Sequence, residues 1–139
     1  MYIDTSAFVK LYVDEPDSEA CEAVVSGESL VSSQLLYCEF RAALFGKISR
    51  GKVTIEIASE VWSEFERHLL DRRIHLISLN DILVQDAARL LNELHPSVPL
   101  RTLDALHLVT YMSVEAGPIL TKDRRMIQAA TQMGLPLAG

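Results

Sequence analysis

Apolar residues in this chain follow two rhythms that alternate from one end to the other. Short apolar or β-branched runs at 1–3, 29–32, 74–79 and 118–121, with a weaker one at 135–137, read as strands. Between them, apolar positions recur every three or four residues over 6–13, 18–25, 34–50, 55–71, 81–94, 102–115 and 124–133, as in helices packed on one face. Start and stop signals agree with this division. Ser33, Thr54 and Asn80 stand where N-caps belong, and Gly27, Gly51, Gly117 and Gly134 follow the predicted helix ends. Pro96 and Pro99 punctuate the connection before the sixth helix.

Strands that alternate with helices predict an α/β fold, because parallel strands need crossover connections and those crossovers are right-handed. The expected architecture is a three-layer α/β/α sandwich around a mostly parallel central sheet of four to five strands, as one domain over 1–139. In such sheets the first strand usually lies centrally, beside the point where the winding reverses. Ligands bind there, at the carboxyl ends of the strands.

Composition narrows the function. With 139 residues, 49% of them hydrophobic, the chain can bury one sizeable core. Its apolar runs fall far short of the ~20 residues of a membrane span, and no signal-peptide pattern opens it, so a cytoplasmic protein without membrane contact is expected. Cys21 and Cys38 read as reduced packing residues; their spacing matches no zinc site. Thirteen Lys and Arg against nineteen Asp and Glu give a net charge of −6, which excludes a grip on nucleic acid by bulk charge. Local distribution then matters more. No acid lies between Phe40 and Ile55, while Arg41, Lys47, Arg50 and Lys52 do. This strip is either a solvated helix end or a phosphate track, with Arg41 and Lys47 as candidate nucleic-acid contacts.

Four acids carry the chemistry. Asp4 and Asp123 end the runs Met-Tyr-Ile and Pro-Ile-Leu-Thr-Lys, at predicted carboxyl ends of strands. Glu39 projects from an apolar stripe of Leu35, Leu36, Ala42 and Ala43. An unpaired charge there would cost several kcal/mol, so something positive must meet it, and a cation shared with other carboxylates is one answer. Asp104 lies in the first turn of a helix whose preceding connection reaches the same edge. Each aspartate also has a simpler reading, as a cap for Asp4 and Asp123 and as a dipole partner near Arg101 for Asp104. Asp86, flanked by Ile82, Leu83 and Leu90, is set aside because Arg89 provides a local partner.

Grouping the acids has a chemical reason. Mg²⁺ and Mn²⁺ prefer carboxylate and water oxygens, and three or four acids around one cleft suit them. Ser6 and Thr121, each two residues from an aspartate, supply supporting hydroxyls. His107, three residues after Asp104, reads as a packing or orienting residue, since a single histidine is a weak metal signal.

Four segments, taken in order, resemble the PIN domain and, within it, VapC-type toxins of toxin–antitoxin systems. They are Tyr2-Ile3-Asp4-Thr5-Ser6-Ala7; Glu39 with Arg41-Ala42-Ala43-Leu44; Leu100-Arg101-Thr102-Leu103-Asp104-Ala105-Leu106-His107; and Leu120-Thr121-Lys122-Asp123-Arg124-Arg125-Met126. The family's four acids fall on Asp4, Glu39, Asp104 and Asp123. The resemblance implies a PIN-like fold, a Mg²⁺- or Mn²⁺-dependent endoribonuclease with catalytic and metal-binding acids at those positions, an RNA substrate, a homodimer and a cognate antitoxin. Trp62, Phe65 and Tyr111 are candidates for dimer surface or for core. The alternatives are a PIN-fold binding scaffold without turnover, or another metal-dependent phosphohydrolase. A haloacid-dehalogenase-type phosphatase would need a second Asp where Ser6 stands, and a phospho-receiver would need an acidic pair after the first strand.

Overall fold

The central strand β1 (Tyr2–Ile3) is only two residues long, and both residues are wholly buried in the computed structural model, which covers residues 1–139. β1 pairs with β2 (Leu30–Ser33) on one side and with β4 (Ile119–Leu120) on the other, and β3 (Ile74–Ile77) lies beyond β2. The order is β3-β2-β1-β4 and every pairing is parallel. Winding therefore reverses at β1, and β1 and β4 end side by side. The weak run near the C-terminus forms no fifth strand. Leu137 makes only an isolated parallel bridge to Ile119.

Seven helices connect these strands: α1 (Thr5–Phe8), α2 (Ser18–Val25), α3 (Leu35–Ser49), α4 (Ile55–Leu70), α5 (Asp81–Leu94), α6 (Thr102–Val114) and α7 (Arg124–Gln132). The first is shorter than its periodicity predicts, because the chain tightens into a 3₁₀ turn over Val9–Leu11. Thr54 and Asn80 cap α4 and α5, accepting from Ile57 N at 3.2 Å and Leu83 N at 2.9 Å. Ser33 is one residue early. The N-cap position of α3 is Gln34, and the Ser33 hydroxyl accepts from Leu35 N at 3.3 Å. Gly51, at φ +67°, takes the left-handed turn that ends α3, where a side chain would be strained.

Alternation along the strands divides the interior in two. Tyr2 and Ile119 face a core shared with α5, α6 and α7, whereas Ile3, Leu30, Ile74 and Leu120 face one shared with α1, α3 and α4. The result is a three-layer α/β/α PIN-like fold. Phe8, Phe40 and Phe65 fill the second core, with Phe8–Phe40 and Phe40–Phe65 centroids 5.1 Å apart in edge-to-face contact. Phe65 and Tyr111 are thus core residues, and Trp62 is half-buried against Phe65. Cys21 is a buried packing thiol, but Cys38 is exposed on α3; both are free.

Because Phe65 is enclosed by other rings while Leu70, in the same helix, is 83% exposed, the two should respond differently to truncation. Phe65→Ala is expected to cost about 3–5 kcal/mol in urea unfolding, and Leu70→Ala no more than about 0.5 kcal/mol. Equal losses would contradict this account of the core.

Candidate functional site

Asp4 directly follows β1, and Asp123 lies three residues beyond the end of its neighbour β4. Asp4 is buried, at 3% exposure, and its carboxylate accepts from Ser6 Oγ at 2.8 and 2.9 Å, Thr121 Oγ1 at 2.8 Å and Ala7 N at 3.1 Å. It caps α1, as its simpler reading required, yet it does more. Ser6 Oγ also accepts from Lys122 N at 2.8 Å, and Thr121 Oγ1 from Asp123 N at 3.1 Å, so the two hydroxyls stitch the end of β1 to the end of β4. Burial pushes the Asp4 carboxyl above its ordinary range. The charge of His107 and the bonds from Thr121, Ser6 and Ala7 oppose this without overcoming it.

Glu39 approaches from α3 and is met by two donors. Its Oε2 accepts from Thr5 Oγ1 at 2.6 Å and lies 2.7 Å from His107 Nε2. His107, buried on α6 one turn beyond Asp104, has its Nδ1 2.9 Å from the Tyr2 hydroxyl. Burial raises the tyrosine's pKa, so the phenol keeps its proton. An ionised carboxylate only accepts, so Nε2 carries the hydrogen given to Glu39, and Nδ1 shares a hydrogen bond with the Tyr2 hydroxyl. Burial pushes Glu39 up too, but the His107 hydrogen bond and charge, joined by the Thr5 bond, leave it below the usual glutamate range. The positive partner that the apolar stripe demanded is therefore in part an imidazole. Only the helical spacing of His107 from Asp104 hinted at that role in the sequence, and nothing in it pointed to Tyr2 or Thr5.

Asp104 and Asp123 sit at the starts of α6 and α7. Asp104 Oδ2 accepts from Arg101 N at 3.1 Å; Asp123 Oδ1 accepts from Arg125 N at 2.7 Å and Met126 N at 3.1 Å. Burial raises the Asp104 carboxyl; the Arg101 backbone bond opposes this, while the nearby charge of Asp123 adds to it. Each of the two therefore lies within the other's field.

The family model of the PIN domain matches residues 1–132. The chain belongs to the PIN-domain family. Within it the type is VapC: the sequence is 32% identical over 138 residues to the ribonuclease VapC46 of Mycobacterium tuberculosis, covering 97% of this chain and 93% of that protein.

In this PIN domain three carboxylate oxygens, Glu39 Oε1, Asp104 Oδ1 and Asp123 Oδ2, accept no hydrogen bond from protein, because each partner bonds the other oxygen. That donor set suits a hard divalent cation. No three acidic or imidazole groups close on one point as they stand. Mg²⁺ does not need them to, since it keeps several waters and takes one or two carboxylates directly. The residues therefore fit such an ion.

The basic strip on α3 does not reach this edge. Arg41 lies over the rings of Trp62 and Phe45, at 4.7 and 4.9 Å, and is two residues from Glu39, so nearly on the opposite side of the helix. Lys47 is buried and paired with Glu15, as a buried ammonium requires, and so leaves the strip altogether. Asp86 pairs locally with Arg89 at 2.5 Å, as expected.

Two stability tests follow from these shifts. Asp4 has a raised folded pKa, so its ionisation destabilises the fold above the unfolded value near 3.8, and the penalty disappears as pH falls toward that value. Asp4→Asn should raise the melting temperature at about pH 7 in chelator, with the gain fading toward about pH 4; a less stable variant at neutral pH would contradict the burial argument. Glu39 has the opposite sign, stabilising above its unfolded value near 4.5 and ceasing to as pH falls through its lower folded value. His107→Leu should cost about 2 kcal/mol at neutral pH by leaving Glu39 under-partnered, and Glu39→Gln in that background should recover part of it. Strict additivity of the two substitutions would show that the residues are not coupled.

Proposed function

We propose that this PIN domain is a metal-dependent endoribonuclease, the toxin of a toxin–antitoxin pair, that cuts RNA phosphodiester bonds with Mg²⁺ or Mn²⁺ at Asp4, Glu39, Asp104 and Asp123. The carrying observation is the mismatch of donors and acceptors at the carboxyl edge. Three free carboxylate oxygens stand with a buried aspartate whose ionisation the fold disfavours, and a divalent cation would resolve all four at once. The ribonuclease name of the VapC46 relative supports RNA as the substrate class and a cognate antitoxin as the partner. A homodimer and a cytoplasmic location belong to the same reading. No helix is long and apolar enough to cross a membrane.

Each residue has a defined task. Ser6 and Thr121 fix the rotamer of Asp4 and tie it to the start of α7, so that Asp4 and Asp123 are held in register. Thr5 and His107 hold Glu39 through Oε2, which keeps Oε1 available to orient a water or take its proton. Asp104, raised by burial, gains from a nearby positive charge. When bound, the ion supplies Lewis-acid activation of water and neutralises charge on the phosphodiester.

Purified free of any antitoxin, the chain should cleave RNA with Mn²⁺ or Mg²⁺ and not in EDTA. Asp4→Asn and Asp104→Asn should each lower the rate by about 100-fold or more, since losing a ligand exceeds losing its support. Cleavage that persists in EDTA, or undiminished in both variants, overturns the reading.

A further inference from the structure

Four cations outside the molecule's ion pairs stand beside these acids. None of the molecule's ion pairs uses Arg101, Lys122, Arg124 or Arg125. Arg50 and Lys52 after α3 and Arg72 and Arg73 before β3 are unpaired too but lie on other elements, whereas Lys10 and Lys47 are committed to Glu15, Arg67 to Glu64, Arg89 to Asp86, and Arg41 to aromatic rings. Arg101 accompanies Asp104 at the start of α6, and the other three flank Asp123 at the start of α7, so cations bracket the carboxylate pair. A groove of about 430 Å³ lies there, lined by Lys122, Asp123, Arg124 and Arg125 and by no apolar residue.

We infer that Arg101, Lys122, Arg124 and Arg125 form the phosphate-binding rim of the cleft, along which the backbone of a single-stranded RNA is held beside the acids. This rests on the ribonuclease reading and names the residues that bring substrate to it. Three cations to one acid line this groove, and that balance of charge selects an anion. Cations on two separate elements suit a polymer with repeated charges better than a single small anion. The rim also resolves the difficulty of charge, because a chain of net charge −6 cannot attract RNA as a whole and must do so locally.

The test is binding in EDTA, where cleavage does not intervene, followed by the anisotropy of a fluorescent single-stranded oligoribonucleotide over a salt series. Each phosphate contact contributes about 0.7 to the slope of log K against log salt for single strands, so Lys122→Ala/Arg124→Ala/Arg125→Ala should make the slope shallower by about 2 and weaken binding roughly 100-fold at about 0.1 M salt. Arg72→Ala/Arg73→Ala, exposed before β3 at the opposite edge of the sheet, should leave both near wild type. An unchanged slope in the triple variant, an equal loss in the Arg72/Arg73 control, full displacement of RNA by equimolar inorganic phosphate, or no RNA binding by the wild-type chain would each overturn the rim. The two readings fail separately. Wild-type cleavage with no effect in the triple variant removes the rim and keeps the nuclease; a changed slope without metal-dependent cleavage does the reverse.

Discussion

Desolvation of one carboxylate governs this site. Asp4 follows a two-residue central strand with helices on both faces, so it is withdrawn from water as a consequence of the topology. A buried carboxylate must be hydrogen-bonded, neutralised or both. The fold supplies hydroxyls from Ser6 and Thr121 and an amide from Ala7, which satisfy its oxygens without cancelling its charge. The same hydroxyls bind the amides of Lys122 and Asp123, so the arrangement that satisfies Asp4 also joins the ends of β1 and β4. Stability and the proposed function meet in three side chains, those of Asp4, Ser6 and Thr121.

Glu39 shows a different solution on the next element. Its charge is held ionised by an imidazole that is itself oriented by the Tyr2 hydroxyl, while Thr5 supplies a second donor. Tyr2 and Thr5 flank Asp4 in sequence, and His107 follows Asp104 by one helical turn. The residues that fix the second acid, Glu39, are therefore carried by the segments that carry the first and third. Movement of α6 relative to β1 would disturb Asp104, His107 and Glu39 together, which couples packing in the first core to the geometry of the cleft.

Much of this was legible in the sequence because local chemistry and topology agree. The rhythm of strands and helices gave the parallel sheet, and burial of a charged residue on an apolar stripe singled out Glu39. Thr54 and Asn80 announced helix starts that the structure contains. What the sequence could not resolve depended on contacts distant along the chain. The pair of Lys47 with Glu15 spans 32 residues, and that of His107 with Glu39 spans 68; no periodicity signals either. The fifth strand failed because the run at 135–137 offers one bridging residue to an edge that β4 presents over only two. The helix-start reading of Asp104 and Asp123 does not exclude a functional one, since the backbone bonds occupy one carboxylate oxygen of each and leave the other, whereas both oxygens of Asp4 are hydrogen-bonded.

The central claim is that these four acids form an incomplete charge arrangement that a divalent cation completes. Calorimetric titration of the chain with Mn²⁺ tests it most directly, because it needs neither substrate nor partner. The account predicts saturable binding, and loss of that binding in Asp4→Asn. No heat of binding at millimolar Mn²⁺, or unaltered binding in the variant, would contradict it.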